Sequence, residues 1–203
     1  MTNNNQLQGI DVSHYQGTVD WKKVKAAGIA FAYAKATDGN TYTDPQFHTN
    51  WQGMQAAGIL RGAYHFYETN DDPITQANNF ISAVGSLSAN DLAPVVDIEI
   101  FKGNCGSNSV AANLQIWLDT VEKALGRTPM IYTGPSFWNQ TINADFSKYP
   151  LWVAEYGVTT PKIPFGWTGW NFWQYSEGGN VDGVTGDVDL DVCATSINAF
   201  IQP

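Results

Sequence analysis

The chain has 203 residues, with 10 Lys plus Arg against 19 Asp plus Glu, a formal charge of −9. That shortage of cations argues against a duplex nucleic-acid binder, which needs a basic face to displace counterions from phosphates. A 14% charged fraction beside 43% hydrophobic residues argues against disorder, and no run approaches the ~18 apolar residues of a membrane span.

A length near 200 suits one α/β barrel or β-sandwich, so a single domain is expected. Residues 1–8, MTNNNQLQ, read as a polar tail with neither a basic nor an apolar signal region, which implies a trimmed precursor or another export route. From residue 9 onward, strand-like and helical patterns alternate. A strand at 9–13 (GIDVS) is followed by a helix in VDWKKVKAAG, a strand at 29–36, a helix in PQFHTNWQGMQAAG, a strand at 60–67 and a helix in PITQANNFISAVG. A strand at 93–100 (APVVDIEI) leads to the strongest helix, 109–126. There Ser109 is a candidate cap, and Val110, Leu114, Trp117, Val121 and Leu125 recur at helical spacing. Each of these helical patterns closes on a Gly suited to a C-terminal cap. Strands at 129–133, 150–156, 169–176 and 187–192 follow, with gaps rich in Gly, Pro and Trp that leave little room for full helices. Eight strands with right-handed crossovers predict an α/β fold, a single TIM-like barrel over 9–203 that is irregular in its second half.

The most informative segment is APVVDIEI, because Asp97 and Glu99 stand at i and i+2 and so share a strand face. Barrel enzymes place their catalysts at the C-terminal strand ends. Two close carboxylates in a partly dry pocket cannot both ionise easily, which yields a general acid beside a charged partner, as glycosidic cleavage requires. The spacing alone also fits a solvated loop. Asp11 ends another strand, and Asp187, Asp189 and Asp191 alternate through the last, so a barrel end would gather some of these acids with Asp97 and Glu99. A calcium loop fits poorly: Val192 stands where Gly is needed and Asn198 where Glu is needed.

No GxSxG, HExxH, P-loop or GxGxxG pattern occurs. His14, His48 and His65 lack metal-ligand spacing and read as structural, although His14 and His65 lie on or beside strand ends. The chain carries 8 Trp, 9 Tyr and 10 Phe, and aromatic faces with polar edges suit sugar rings; Trp173 and Tyr132 are the first candidates for a cleft. Cys105 and Cys193 are either a disulfide or two thiols, and the bridge would imply an oxidising compartment. The sequon Asn139-Gln140-Thr141 reads as chance.

Taken in order, GIDVSHYQGTVDW, KATDG, GAYHFY, VVDIE, IYTG, LWVAEYG, FWQYS and VDLDV resemble the glycoside hydrolase family 25 lysozymes of Chalaropsis type, over about residues 9 to 195. The resemblance implies an eight-stranded barrel with about five helices and an N-acetylmuramidase. Such an enzyme cuts the β-1,4 bond from N-acetylmuramic acid to N-acetylglucosamine in peptidoglycan with retention of configuration. It further implies Glu99 as general acid and Asp97 as its partner, either nucleophile or the group that orients the substrate's N-acetyl oxygen. Asp11 and Asp189 correspond to the other acids of the cleft, and Tyr64, Tyr132, Tyr156 and Trp173 to aromatics lining it.

Two departures, Asp191 where the family often has Asn and Glu155 where it often has Arg, are expected to add negative charge near the cleft. Against an anionic wall polymer they would weaken long-range attraction and lower the pH optimum. Two other readings compete. A non-catalytic carbohydrate-binding module gains nothing from crowded acids. A chitinase would carry a DxxDxDxE strand, which is absent: Pro94 stands three before Asp97 and Val95 two before it. No cofactor or metal is expected. The expected partner is bacterial peptidoglycan, met by a monomer outside the cell or facing its wall, with no nucleic acid and no membrane insertion.

Overall fold

The computed structural model describes residues 6–103, 107–194 and 196–201. Among the described residues nine strands form one sheet: β1 (Leu7–Val12), β2 (Phe31–Asp38), β3 (Tyr42–Thr43), β4 (Leu60–Phe66), β5 (Val95–Asp97), β6 (Met130–Thr133), β7 (Leu151–Ala154), β8 (Phe172–Gly179) and β9 (Val188–Cys193). Pairing of β1 with both β2 and β9 closes eight of them into a barrel, in the order β1-β2-β4-β5-β6-β7-β8-β9, with the short β3 hanging off β2. The barrel pairings from β1 round to β8 are parallel, while β9 runs antiparallel to both neighbours. All eight expected strands are present. β3 was not anticipated, because two residues carry no readable period.

The helices follow local chemistry. In α1 (Trp21–Ala26) the Asp20 carboxylate accepts from Lys23 N, and in α3 (Pro73–Val84) Asp72 accepts from Thr75 N with Pro73 in the first turn. After α1, α2 (Phe47–Ala56), α3 and α4 (Ser107–Leu125), the chain passes through Gly28, Gly58, Gly85 and Gly126 at φ of 93°, 70°, 71° and 65°, the left-handed exit that favours glycine. Because α4 begins at Ser107, Ser109 lies inside its first turn and is not its cap. Val110, Leu114, Trp117 and Val121 form the expected buried stripe, at 1% exposure or less, while Leu125 packs on it only partly buried.

The second half is irregular as expected: between β6 and β7 lie only the short α5 (Pro135–Phe137) and a π-turn over Trp138–Ile142. Strand β1 opens at Leu7, paired with Cys193, so the last two residues read as tail belong to the barrel.

Period-two alternation sorts side chains to the two sides of the barrel wall. In β2, Ala32, Ala34 and Ala36 turn outward into the layer beneath the helices, while Phe31 and Tyr33 turn inward. Facing rings fill the barrel floor: Phe31 on Phe172 at 5.1 Å, Tyr33 on Trp152 at 4.9 Å and Phe172 on Phe200 at 4.9 Å between centroids. Each buried ring contributes roughly 1.5–3 kcal/mol. Gly62 makes room for this stack, since a Cβ there would stand 2.0 Å from the Tyr33 ring. With the floor filled, the other end, at the C-termini of β1 to β8, is left for a site.

Candidate active site

Above the aromatic floor lies a cavity of about 290 Å³. Strand alternation delivers its lining: Asp11 from β1, Lys35 from β2, Tyr64 from β4, Asp97 from β5, Tyr132 from β6, Gln174 from β8 and Asp189 from β9, with Glu99 and Tyr156 just past β5 and β7.

The pairing of β5 ends at Asp97, three residues earlier than the sequence suggests, yet the chain stays extended. Ile98 N donates to Tyr132 O at 3.0 Å, and Thr133 Oγ1 donates to Ile98 O at 2.8 Å. This tether keeps Glu99 in the alternation that began at Asp97. Asp97 is buried at 8% exposure, whereas Glu99 stands exposed at the rim.

Across the cavity, Asp11 and Asp189 face each other as paired residues of β1 and β9. Because β9 enters from the mouth, Asp189 sits near the opening and Asp191 lies one pleat deeper, fully buried. Asp187 precedes the strand and is exposed, so alternation put three acids in phase but only two inside the barrel.

Gln174 links the two sides. Its Oε1 accepts from Tyr132 OH at 2.8 Å and from Tyr156 OH at 2.5 Å, while its Nε2 donates to Asp11 Oδ2 at 2.7 Å. Sequence reading passed over this residue because a lone Gln has no titration to attract notice; its inward phase in FWQYS was the available signal.

The lining holds five carboxylates, Asp11, Asp97, Glu99, Glu177 and Asp189, and among the described residues a single cation, Lys35. Burial is the first cause raising the pKa of Asp97, and Glu99 is the second; Lys35 opposes both. Glu99 is also raised by partial burial and by Glu177, again opposed by Lys35. Burial and the neighbours Asp191 and Asp189 push Asp11 well up, and burial carries Asp189 to about 6. Burial also raises the phenols of Tyr64, Tyr132 and Tyr156, which therefore remain protonated donors. One oxygen of Asp97, Oδ1, is buried with no hydrogen-bond partner among the described residues.

The structure brings together Asp11, Asp97, Glu99, Asp189, Tyr64, Tyr132 and Tyr156. It does not bring Trp173 to them. Gln174 faces inward, so its neighbour Trp173 must face out; it packs with Leu151, Val153 and Val192, and its Nε1 donates to Glu155 O at 2.9 Å. Glu155 is likewise directed away from the cavity lining, where its carboxylate meets Lys162 N at 2.6 Å. The expected extra charge in the cleft therefore does not come from Glu155.

Asp191 is inside, but burial first and Asp189 second hold its pKa well up. Its Oδ1 accepts from Trp152 Nε1 at 3.1 Å, and Oδ2 is buried without a partner among the described residues. A raised folded pKa means that stability is full below the unfolded value of about 3.9 and is lost as pH climbs through the folded value. Asp191→Asn keeps an acceptor for Trp152 and cannot ionise. Its melting temperature should exceed that of the parent by a margin that widens from pH 4 to pH 8 in thermal denaturation; a constant or shrinking margin would contradict a buried, proton-holding Asp191.

The histidines divide as structural groups. His65 is buried; it accepts from Thr37 Oγ1 at 2.7 Å, donates to Gln76 Oε1 at 3.2 Å and stacks on Trp117, and burial lowers it to about 4. His14 Nδ1 meets Asp44 Oδ2 at 2.8 Å, and His48 meets Gln52 on the surface. Cys193 is buried in the barrel floor, whereas Cys105 falls outside the described residues, and so does the question of their bridge.

Comparison with known proteins agrees with this fold. Residues 10–184 match the family model of the glycosyl hydrolases family 25. Lysozyme M1 of Streptomyces globisporus is 41% identical over 194 residues, covering 90% of this chain and 66% of its own length. The N,O-diacetylmuramidase of Chalaropsis sp is 33% identical, covering 90% of this chain and 96% of its own. The crystal structure of the bacterial lysozyme from Streptomyces coelicolor superposes with a TM-score of 0.91 at 37% identity, covering 98% of this chain and 97% of that one. With the motif order, the closed barrel and the acid-lined cavity in agreement, the chain belongs to family 25 of the glycosyl hydrolases.

Proposed function

We propose that this chain is a retaining muramidase that hydrolyses the β-1,4 bond between N-acetylmuramic acid and N-acetylglucosamine in bacterial peptidoglycan. The observation that carries this reading is the paired placement of Asp97 and Glu99 on one strand face, one buried and one at the rim, in a cavity edged by Asp11 and Asp189. Such a pair can protonate a leaving oxygen while keeping a negative charge near the anomeric carbon.

In the free enzyme, the deeper and drier Asp97 is the costlier place for charge, and it holds a proton to higher pH than a free carboxylic acid does. A saccharide covering the rim strips water from Glu99 and favours its protonated form. Positive charge developing at the anomeric centre favours ionised Asp97. Glu99 then donates to the glycosidic oxygen, and Asp97 acts at the anomeric centre either as nucleophile or by holding the substrate's N-acetyl group for neighbouring attack. Lys35 steadies the carboxylate that is charged. Gln174 fixes Tyr132, Tyr156 and Asp11 as a preorganised rim.

On this reading the chain acts as a monomer, outside the cell or facing its wall, where the polymer substrate lies. Digestion of purified wall and, separately, of chitin oligomers, followed by mass analysis of the new reducing ends and proton NMR of their initial anomeric form, tests the reading. Muramic acid reducing ends with the product initially in the β-anomeric form are expected. N-acetylglucosamine reducing ends, or turnover of chitin alone, would overturn it.

A further inference from the structure

The aromatic residue most exposed among the described residues sits on a turn held by several hydrogen bonds. Tyr15 is 82% exposed, yet the 3-10 turn that carries it, His14–Gln16, is fastened on three sides. Ser13 and Gln16 close a reciprocal capping box, in which Ser13 N donates to Gln16 Oε1 at 2.9 Å and Ser13 Oγ accepts from Tyr15 N at 3.3 Å. Gln16 Nε2 donates to Asp187 O at 3.2 Å, which ties the turn to the entry of β9. His14 meets the buried Asp44 Oδ2 twice, through its backbone N at 3.0 Å and its Nδ1 at 2.8 Å. The Tyr15 ring lies against the His14 imidazole, with centroids 4.2 Å apart and planes tilted by 34°. One face of the phenol is thus backed by a pinned ring, and the other is open to solvent.

Tyr15 and Gln16 line the same cavity as Asp11 and Glu99, so the open face continues the cleft outward from the reacting carboxylates. Reaction at the anomeric centre makes no use of it. A flat ring already fixed in place gives up little freedom on binding, and its apolar face with a polar edge matches the C–H face of a pyranose ring.

We propose that Tyr15 is a specificity-determining residue: its open face stacks on a saccharide unit beyond the pair that is cleaved, and so favours longer glycan chains. This rests on the muramidase reading. The ring adds affinity only when the chain is long enough to reach it, and a substrate confined to the acid-lined centre does not sense it.

The test uses calorimetric binding to the full chain carrying Glu99→Gln, which prevents turnover, with peptide-free N-acetylmuramyl–N-acetylglucosamine oligosaccharides of four and eight sugars. Tyr15→Ala in that background should weaken the octasaccharide by about tenfold and the tetrasaccharide by less than about twofold, and Tyr15→Trp should restore the octasaccharide. Equal losses on both lengths, no loss on either, or failure of Trp to restore binding would overturn the proposal. If the Glu99→Gln parent holds neither oligosaccharide, the muramidase reading falls, and this inference with it.

Discussion

Glu99→Gln should abolish lysis of purified cell walls, lowering kcat by about 10²- to 10⁴-fold, the range general acid catalysis supplies, while the melting temperature stays within a degree or two of the parent. The two halves of this expectation come from one placement. Glu99 is exposed at the rim and held in line by the Ile98 backbone bonds, not by its own side chain, so the amide is accommodated without repacking. The amide has no proton to give. In the parent, burial and Glu177 raise the Glu99 pKa, so the protonated form persists to higher pH than for a free carboxylic acid, and activity should decline as pH rises past that value. Lysis at parental rates by the variant would remove Glu99 from the mechanism.

The second large effect is at Asp97, where activity and stability should move in opposite directions. Asp97→Asn removes the charge that faces the anomeric centre, with an expected loss of roughly 10²- to 10³-fold in kcat, the scale of one preorganised electrostatic contact. The same change should stabilise the fold. Burial and Glu99 raise the Asp97 pKa, so the folded state binds its proton more tightly than the unfolded chain does. The contribution to stability is complete below the unfolded value of about 3.9 and is lost as pH rises through the folded value. Asn carries no such loss, so the variant's advantage in melting temperature should grow between pH 4 and pH 8. A variant that loses activity but gains no stability with rising pH would mean that the folded state does not hold the Asp97 proton more tightly than the unfolded chain.

The two substitutions separate a site into its parts. On these expectations Glu99 is cheap to replace structurally and costly chemically, and Asp97 is a destabilising group that the fold retains, the pattern expected where function opposes stability. The Asp191 margin in the pH series gives a comparison for Asp97, because Asp191 is buried and raised by the same kind of neighbours but is screened from the cavity by its depth in β9.

Much of this was legible in the chain. Apolar runs of strand length separated by helical patterns that end in glycine gave eight strands in the right order, and alternation alone set Asp97 and Glu99 on one side. The misreadings have a common origin. Trp173 and Gln174 are adjacent, and nothing local says which of the two faces the barrel axis; the pairing of Trp152 with Phe172 decides it, and the flashier residue turns out. Glu155 fell to the outer side for the same reason. Asp187, Asp189 and Asp191 are in phase, but their depth depends on the antiparallel entry of β9, which places Asp187 outside and Asp191 below the cavity. The Tyr15 mount joins residues 30 and 171 positions apart, Asp44 to His14 and Asp187 to Gln16, and no window of sequence contains it.

What the sequence determined by itself was relative: which residues are strand and helix, and which neighbours share a side, because backbone geometry repeats every two or 3.6 residues whatever the surroundings. What only the tertiary structure decided was absolute: which side is the interior, how deep each acid lies, and which carboxylates lose their water. Those depend on the register with which β1 closes onto β9, and burial, which raises the pKa of Asp11, Asp97, Glu99 and Asp189, is a property of the closed barrel and not of any one strand.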